Sequence, residues 1–270
     1  MSGGANGDRQ RHCRLCGSAV SAVFSRRLLR RHDVRYWHCD QCGLLQTDAP
    51  WWLEEAYHSP IAERDTGIVA RNLELADIAA CLLAALGHKH AACLDAAGGY
   101  GLFTRLMRDR GFDYYWWDPH TQNLLARGFE GDPKANRYAV ISAFEVLEHL
   151  TEPLAWLRGL CALTGCKTII ASTELYRGRL PPDDWWYFAD DTGQHIAFYQ
   201  RRTLEYIAGQ LGLRLYSKRN IHVWTDRPLN RTRFELLCRP ALAAAWSRVA
   251  RAGLQPRVWS DSELLAGRGG

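Results

Sequence analysis

Short apolar runs alternate with amphipathic stretches through the middle of the chain, between about residues 91 and 172. The apolar runs predict strands, and the amphipathic stretches between them predict helices. Strands separated by helices of this length imply right-handed crossovers and a parallel sheet. We therefore predict an α/β fold built on a doubly wound, mostly parallel sheet. The predicted strands are 91–95, 113–118, 138–143 and 167–172, and the predicted helices are 102–110, 120–127 and 153–163.

The pattern changes on both sides of this region. Residues 68–86 (IVARNLELADIAACLLAAL) predict a long helix, and after Tyr199 the segment RRTLEYIAGQLG predicts another. LRLYSKR and TRFELLC then predict two strands at an antiparallel edge, RPALAAAWSRVARAG a last helix, and ELLAGRGG a loose tail. The predicted divisions are a disordered lead-in (1–11), a cysteine-bearing module (12–48), a helical covering segment (49–90), the main domain (91–240) and a C-terminal helix and tail (241–270).

Composition narrows the class of protein. The chain has 270 residues, of which 47% are hydrophobic, enough for a core of ordinary size. No apolar run reaches the roughly 20 residues that a membrane span needs, and the start MSGGANGDRQRH lacks the apolar core of a secretory signal. We therefore expect a cytoplasmic protein without a membrane partner. The oligomeric state cannot be predicted from these features.

The formal net charge is +5, and the densest basic run is Arg26-Arg27-Leu28-Leu29-Arg30-Arg31. Arginine side chains match phosphate oxygens, so this run could follow a nucleic-acid backbone. The alternative is a solvated basic face on a small module. Both interpretations stay open at this stage.

Four of the nine cysteines form two C-x-x-C pairs, Cys13 with Cys16 and Cys39 with Cys42. Each pair forms a tight turn that presents two thiolates to one metal, and two such pairs make a closed tetrahedral site. We predict a structural zinc ion here, in a zinc-ribbon-like module; unligated thiols or a redox pair are the alternatives. His12 and His38 also precede cysteines, but four cysteines already saturate zinc.

A glycine turn follows the first predicted strand of the main domain, in Asp95-Ala-Ala-Gly-Gly-Tyr-Gly101. At the carboxyl end of a strand, a turn without side chains lets backbone N–H groups approach an anionic ligand group. The next strand ends on Asp118, from which a carboxylate can accept both hydroxyls of a ribose. Together these features predict a ligand that contains adenosine. Thr104 occupies the third position of the dinucleotide fingerprint, which disfavours a nicotinamide cofactor.

The segment AVISAFEVLEHL (residues 139–150) carries a further signal. With LDAAGGYG and Asp118, it resembles the class I S-adenosylmethionine-dependent methyltransferases, whose sheet is Rossmann-like. The resemblance implies that Asp95, Ala97, Gly98, Gly99 and Gly101 meet the methionine part of the cofactor, with Asp95 near its amino group. It also implies that Asp118 binds the ribose and that Phe144 and Glu145 lie along the cofactor. Ala97 replaces a frequent cysteine, and Ala139 replaces the acid usual at the start of that strand.

The resemblance covers about residues 12–225. With the cysteine pairs and GQHIAFY, it extends to a bacterial subgroup whose members often modify sugars or small natural products. It implies O- or C-methylation of a small molecule. The alternative is an RNA or protein methyltransferase whose basic module binds the substrate, so that nucleic acid is disfavoured but not excluded as a partner. A non-catalytic binding module is disfavoured by the intact glycine turn, Asp118 and Glu145.

Two histidines are candidates for the base that takes a proton from the acceptor. His149 follows the fourth-strand motif, and His195 lies in GQHIAFY. Each has a structural alternative: His149 could hold the motif by hydrogen bonds, and His195 could be a packed residue. Further candidates are an aromatic wall, Trp185 to Tyr187, and a covering segment with Tyr57, Asp65 and Arg71. His222 and Glu174 are weaker candidates.

Overall fold

The computed structural model describes residues 12–58 and 65–267; the predicted lead-in, 1–11, lies outside them. The strands are β1 (Ser21–Leu28), β2 (His32–His38), β3 (Leu45–Thr47), β4 (Ala92–Ala96), β5 (Asp113–Trp117), β6 (Val140–Phe144), β7 (Thr168–Ser172), β8 (Ala197–Phe198), β9 (Arg214–Lys218) and β10 (Ile221–Thr225). The α-helices are α1 (Leu53–Ala56), α2 (Ile68–Ala85), α3 (Leu102–Asp109), α4 (Pro153–Thr164), α5 (Arg201–Leu211), α6 (Arg231–Leu237), α7 (Pro240–Ala250) and α8 (Val258–Ala266). Short 3-10 helices cover Leu147–His149 and Trp186–Phe188.

The chain forms two compact units that alternate along the sequence. One, the cysteine unit, contains residues 12–58, Glu145–Arg158 and Ser172–Gly212. The other, the glycine-turn unit, contains Asp65–Phe144, Gly159–Ala171 and residues 213–267. Whether residues 12–48 form a separate module stays a prediction.

The six-stranded sheet has the order β5-β4-β6-β7-β10-β9. Both β5 and β6 run parallel to β4, while β9 and β10 are antiparallel. The chain moves from β4 outward to β5 and then returns to β6 on the other side of β4. This reversal makes the carboxyl end of β4 the switch point of the sheet, which is where ligands of open α/β sheets bind.

The predicted α/β fold with a mostly parallel sheet is confirmed. The four predicted strands appear as β4 to β7, and the helices predicted at 102–110 and 153–163 appear as α3 and α4. The long helix before the sheet is α2, whose buried face includes Leu75, Ile78 and Leu82. It packs with buried sheet residues such as Val140 and Ile170 in the core of the glycine-turn unit.

The helix predicted at 120–127 is wrong. Asp118 Oδ1 accepts hydrogen bonds from the backbone N–H groups of His120 and Thr121, and Asn123 Oδ1 accepts one from Ala126. Such local side-chain bonds to the backbone compete with helical hydrogen bonds. The segment is therefore an irregular loop beside the glycine turn.

Two predictions at the C-terminus are also wrong. TRFELLC forms α6 instead of a strand, because the Asn230 side chain caps its N-terminus at the Arg233 N–H. The antiparallel edge is made by β9 and β10 instead. Part of the predicted loose tail belongs to α8, whose buried Asp261 binds Arg108 through two hydrogen bonds of 2.7 Å.

The cysteine unit contains a four-stranded sheet in the order β1-β2-β3-β8, in which every neighbouring pair is antiparallel. Its core is largely aromatic, with Tyr36, Trp52, Phe188 and Phe198 fully or almost fully buried. The sheet therefore joins the segment of the cysteine pairs to residues near 198, far away in sequence. In the described residues, no helix has the length and apolarity needed to cross a membrane.

Candidate active site and metal centre

The glycine turn after β4 is tightly constrained. A Cβ on Gly98 would lie 2.7 Å from Asp95 Oδ2 and 2.8 Å from Trp116 Cδ1, so no side chain fits there. Gly99 has a φ of +53°, and a Cβ there would meet nothing within 4 Å. The turn is thus closed on the side of Gly98 and has open space at Gly99, where a ligand can approach the backbone.

The end of β5 holds this turn in place. The Gly99 N–H donates to Asp118 Oδ2 at 3.0 Å, and the Gly99 carbonyl accepts from Trp116 Nε1 at 2.8 Å. Asp118 Oδ1 accepts the two loop N–H groups already described, so both oxygens of this carboxylate are hydrogen bonded. The predicted ribose acid therefore also organises the turn, and it has few free lone pairs left for a ligand.

Asp95 lies below the turn and is almost completely buried. Its carboxylate accepts hydrogen bonds from the Thr104 hydroxyl at 2.9 Å and the Ser142 hydroxyl at 3.2 Å. Burial raises the pKa of Asp95 to about 7, and these hydrogen bonds only partly oppose that shift. A cationic group bound nearby would favour the charged form. Thr104, which argued against a dinucleotide, is thus a partner of Asp95.

Two non-glycine residues of the predicted cofactor motifs have left-handed backbones. Ala97 has a φ of 57° and Glu145 a φ of 53°, and such strain is often found at functional sites. In the cysteine unit, Ser172 Oγ accepts the Glu145 N–H at 2.9 Å and donates to its carboxylate. In the glycine-turn unit, Phe144 packs edge-on against Phe103 with ring centroids 4.7 Å apart.

The four predicted zinc ligands converge within the cysteine unit. The sulfurs of Cys13 and Cys42 are 3.5 Å apart, as are those of Cys16 and Cys39, and all four lie within 4.8 Å of one another. Zinc with four bonds of about 2.3 Å to sulfur separates its ligands by about 3.8 Å, so the cluster fits the ion. His38 points its Nδ1 at Asp40 instead, at 3.0 Å.

A second group of ligand-type residues lies elsewhere in the cysteine unit. Glu148, His149 and His195 each place one ligand atom within 4.8 Å of the others. Glu148 is fully buried, and neither of its carboxylate oxygens has a hydrogen-bond partner among the described residues. Burial raises the pKa of Glu148 to about 7, although the nearby Tyr187 hydroxyl works against this shift.

The hydrogen bonds of the two histidines define their tautomers. His195 Nδ1 lies 2.7 Å from the Tyr187 carbonyl oxygen, and His149 Nδ1 lies 3.1 Å from the Gln194 carbonyl oxygen. A carbonyl has no proton to give, so His195 Nδ1 carries the proton and its Nε2 keeps its lone pair. His149 Nδ1 also lies 3.0 Å from the Tyr57 hydroxyl; the Gln194 carbonyl favours the same tautomer, with the Tyr57 oxygen as a second acceptor. Burial lowers the pKa of His149 to about 4 and that of His195 to about 3, so both rings are neutral near pH 7.

A family model described as a methyltransferase domain matches residues 70–218, more than half of the chain. The chain belongs to this methyltransferase family. The methyltransferase family predicted from the glycine turn, Asp118 and FEVLEHL is thereby confirmed. A search among curated proteins finds no match for this methyltransferase.

Solved structures similar to the methyltransferase include three other methyltransferases. A methyltransferase of calicheamicin biosynthesis in its SAH-bound form is 15% identical, with 64% of this chain and 61% of that chain covered and a TM-score of 0.43. Magnesium protoporphyrin IX methyltransferase from Synechocystis PCC 6803 with bound SAH is 16% identical, with coverages of 64% and 90% and a TM-score of 0.42. An O-methyltransferase family protein from Burkholderia thailandensis is 16% identical, with coverages of 65% and 62% and a TM-score of 0.49. The chain thus spans about three fifths of the first and third of these proteins.

The weaker candidates of the sequence have different positions in the methyltransferase. Tyr57 lies beside the group of Glu148, His149 and His195, which we call the histidine cluster, since its hydroxyl is 3.0 Å from His149 Nδ1. Of the predicted aromatic wall, Tyr187 contacts His195 with centroids 4.5 Å apart, Trp185 packs against the aromatic core and Trp186 is exposed. His222 is buried in β10 and pairs with a serine of β9, and Asp65 forms an ion pair with Arg71.

Glu148 is the member of this group that the sequence analysis did not identify as a candidate. Its signal in the sequence is its position next to His149 in FEVLEHL. The sequence could not show that the oxygens of this carboxylate are buried without a partner.

The basic run of the methyltransferase is paired with carboxylates inside the cysteine unit. Arg26 contacts Asp190 at 2.6 Å, Arg27 contacts Asp33 at 3.0 Å, and Arg30 approaches Asp191 at 3.9 Å. Arg31 forms an ion pair with Glu55. These arginines are therefore partly neutralised by neighbouring acids, which does not favour a continuous phosphate-binding face.

Proposed function

We propose that the protein transfers a methyl group from S-adenosylmethionine to a hydroxyl of a small molecule, a sugar or natural-product scaffold. The donor would bind at the glycine turn, with its ammonium near Asp95 and its ribose at Asp118. Phe144 and Glu145 would lie along it. The open space at Gly99 and the buried acid beneath the turn support this assignment.

The observation that supports this class of acceptor is the group formed by Glu148, His149 and His195 in the cysteine unit. A nucleophilic amine reacts with a sulfonium without a base, whereas a hydroxyl or a carbon acid must lose a proton. Two neutral histidines with free Nε2 lone pairs, beside a buried carboxylate, suit an acceptor of the second kind. We therefore assign acceptor activation to His149 and His195, and take oxygen as the acceptor atom ahead of carbon.

The transfer itself is an in-line displacement, which depends mainly on alignment. The acceptor oxygen forms a bond to the methyl carbon, and the C–S bond breaks with its electron pair going to sulfur. The sulfonium becomes the neutral thioether of S-adenosylhomocysteine. The proton of the acceptor hydroxyl leaves through the histidine cluster.

We also propose that Cys13, Cys16, Cys39 and Cys42 hold a structural zinc ion, as in the bacterial subgroup that the sequence resembles. Four thiolates leave no open position on the ion, so it would stabilise the fold and take no part in the reaction. Metal analysis of the protein purified without added metal is expected to find zinc. Protein that is folded and free of metal would contradict this assignment.

Calorimetric titration with S-adenosylhomocysteine and, separately, with NAD tests the donor site. We expect binding of the first and none of the second, and the reverse would overturn the donor assignment. Acceptors are then screened with labelled S-adenosylmethionine against nucleotide sugars, phenolic polyketides and RNA. His149→Gln and His195→Gln are expected to lose transfer while keeping S-adenosylhomocysteine affinity. Label in RNA alone would support the alternative substrate class.

A further inference from the structure

Glu148, His149 and His195 have the composition of a metal site with open coordination positions. Two imidazoles and one carboxylate, each offering one ligand atom within 4.8 Å of the others, form a three-ligand set. Proteins use such sets for divalent transition metals, with the remaining positions left to water or substrate. We propose that these three residues bind a divalent transition-metal ion, separate from the ion of the four cysteines.

The buried carboxylate is the first independent support. Glu148 is 0% exposed, and its two oxygens lack a well-formed hydrogen bond in the described part of the chain. The hydroxyls of Tyr187 and Thr173 lie near enough to lower its pKa, but they do not satisfy the carboxylate by distance and angle. Leaving a buried carboxylate without a partner is costly, and buried charges in proteins are normally paired or coordinate a metal. A divalent ion would supply the missing partner. Its charge would exceed that of the carboxylate by one unit, because imidazole binds a metal in its neutral form.

The hydrogen bonds behind the two rings are the second support. Histidines that bind metals usually donate their other N–H to a carbonyl or carboxylate, which fixes the ring and its tautomer. Here both Nδ1–H groups face backbone carbonyls, those of Gln194 and Tyr187. Both Nε2 atoms are left as ligands. The rings lie 5.0 Å apart at 77°, so they can approach one ion from different directions.

The spacing requires a small adjustment. Bonds of about 2.0–2.2 Å to nitrogen and oxygen place neighbouring ligand atoms about 3.0–3.5 Å apart. From the observed limit of 4.8 Å, the ligand atoms would have to approach one another by at most about 1.3–1.8 Å. The backbone around Glu148 is fixed, because Ile196 N–H donates to its carbonyl at 2.8 Å and Tyr199 donates to that of Leu147 at 2.6 Å. The adjustment would therefore have to come from the three side chains.

The donor set indicates the class of metal. Imidazole nitrogens favour zinc, iron, cobalt and nickel, whereas magnesium prefers oxygen ligands and water. We therefore expect a borderline transition metal, with cobalt as a suitable probe.

The role of the ion rests on the proposed function. An acceptor hydroxyl bound at an open position would have its pKa lowered by the metal, as bound water does. With the ion bound, both Nε2 lone pairs would be coordinated, so the ion would replace the histidines as the group that activates the hydroxyl, and the proton would leave to solvent.

The experiment measures metal binding and donor binding separately. The full-length protein and three variants, Glu148→Gln, His195→Gln and Glu152→Gln, are dialysed against Co²⁺ and then analysed for metals per chain and visible absorption. Glu152 is an exposed glutamate four residues after Glu148 and is the matched control. Affinity for S-adenosylhomocysteine and circular dichroism report on the donor site and the fold.

We expect the wild type and Glu152→Gln to hold one metal equivalent beyond the four-cysteine centre. Glu148→Gln and His195→Gln should lose that equivalent, with metal affinity reduced at least 100-fold and S-adenosylhomocysteine affinity unchanged. Cobalt in this site should show no thiolate charge-transfer absorption. A single metal equivalent in the wild type would overturn the proposal. So would a second equivalent that Glu148→Gln and His195→Gln both retain. If the wild type does not bind S-adenosylhomocysteine, the proposed function is contradicted, while the result for the metal site still holds.

Discussion

The glycine turn and the Glu148 cluster differ in how their polar groups are satisfied. At the turn, the N–H and carbonyl of Gly99 and both oxygens of Asp118 are already hydrogen bonded. In the cluster, the carboxylate of Glu148 has no partner among the described residues, and two imidazoles keep free lone pairs. The first region is organised by its own contacts, whereas the second would be completed by the metal ion that we propose for it. Substitutions should therefore distort the turn but mainly remove ligands from the cluster.

The largest expected effect is a loss of structure that is confined to the cysteine unit. Cys39→Ser removes one ligand of the proposed zinc ion, and structural zinc in zinc-finger peptides contributes about 10–16 kcal/mol of apparent binding free energy. We expect β1 to β3 to lose protection in hydrogen exchange, while β4 and β5 stay protected. S-adenosylhomocysteine should still bind at the turn.

The matched control is Cys161→Ser, a half-buried cysteine in α4 outside the four-cysteine group. It should leave the metal content unchanged. Cys39→Ser protein that keeps β1 to β3 protected would show that the sheet needs no metal.

Gly98→Ala tests whether the turn is fixed by contact. Its new Cβ would lie 2.7 Å from a buried Asp95 oxygen, and overpacking of this kind costs about 1–3 kcal/mol. We expect a lower melting temperature and weaker binding of S-adenosylhomocysteine. Gly159→Ala is the control, because an exposed helical glycine with nothing within 4 Å gains stability from alanine. Equal effects of the two variants would mean that the turn is not constrained.

Asp118→Ala should weaken S-adenosylhomocysteine affinity by about 1–3 kcal/mol, through unpaired ribose hydroxyls and the lost hold on the Gly99 N–H. Asp118→Asn keeps one carbonyl oxygen as an acceptor. Its affinity for S-adenosylhomocysteine, measured by calorimetric titration, should lie between those of Asp118→Ala and the wild type. Unchanged affinity in Asp118→Ala would mean that the ribose partner is misassigned.

The same comparison explains what sequence could predict. The turn is encoded within a few residues, so its glycines and Asp118 were identified from local pattern, as were β4 to β7. The metal-ligand spacing of the four cysteines was local as well. The Glu148 cluster consists of Glu148, His149 and His195, with Tyr57 and Tyr187 beside the histidines. These residues come from segments that are far apart in sequence, so their proximity depends on tertiary packing. Periodicity also failed where side chains bond to the local backbone, as at Asp118 and Asn123 in the wrongly predicted helix.

The smallest expected effect is a pH dependence of donor binding that comes from Asp95. Burial raises the pKa of this carboxyl to about 7 in the ligand-free protein, and the charge of Asp118 adds to the shift. An ammonium group of the donor would bind the ionised form, so affinity should rise about tenfold between pH 6 and pH 8 and a proton should be released. Because the folded pKa lies above the unfolded value, the stability of the ligand-free protein should fall as pH rises from about 4 to 7.

Asp95→Asn has no such titration and serves as the comparison. Its donor affinity should be lower than that of the wild type at pH 8, and the change between pH 6 and pH 8 should be smaller, since the donor's own amino group titrates identically with both proteins. Between about pH 4 and pH 7, the melting temperature of the wild type should fall relative to that of Asp95→Asn. Calorimetry in two buffers of different ionisation enthalpy measures the released proton. Parallel pH profiles for the two proteins would show that Asp95 does not meet the donor's charge, and the ordered turn would then have to bind its ligand through backbone groups alone.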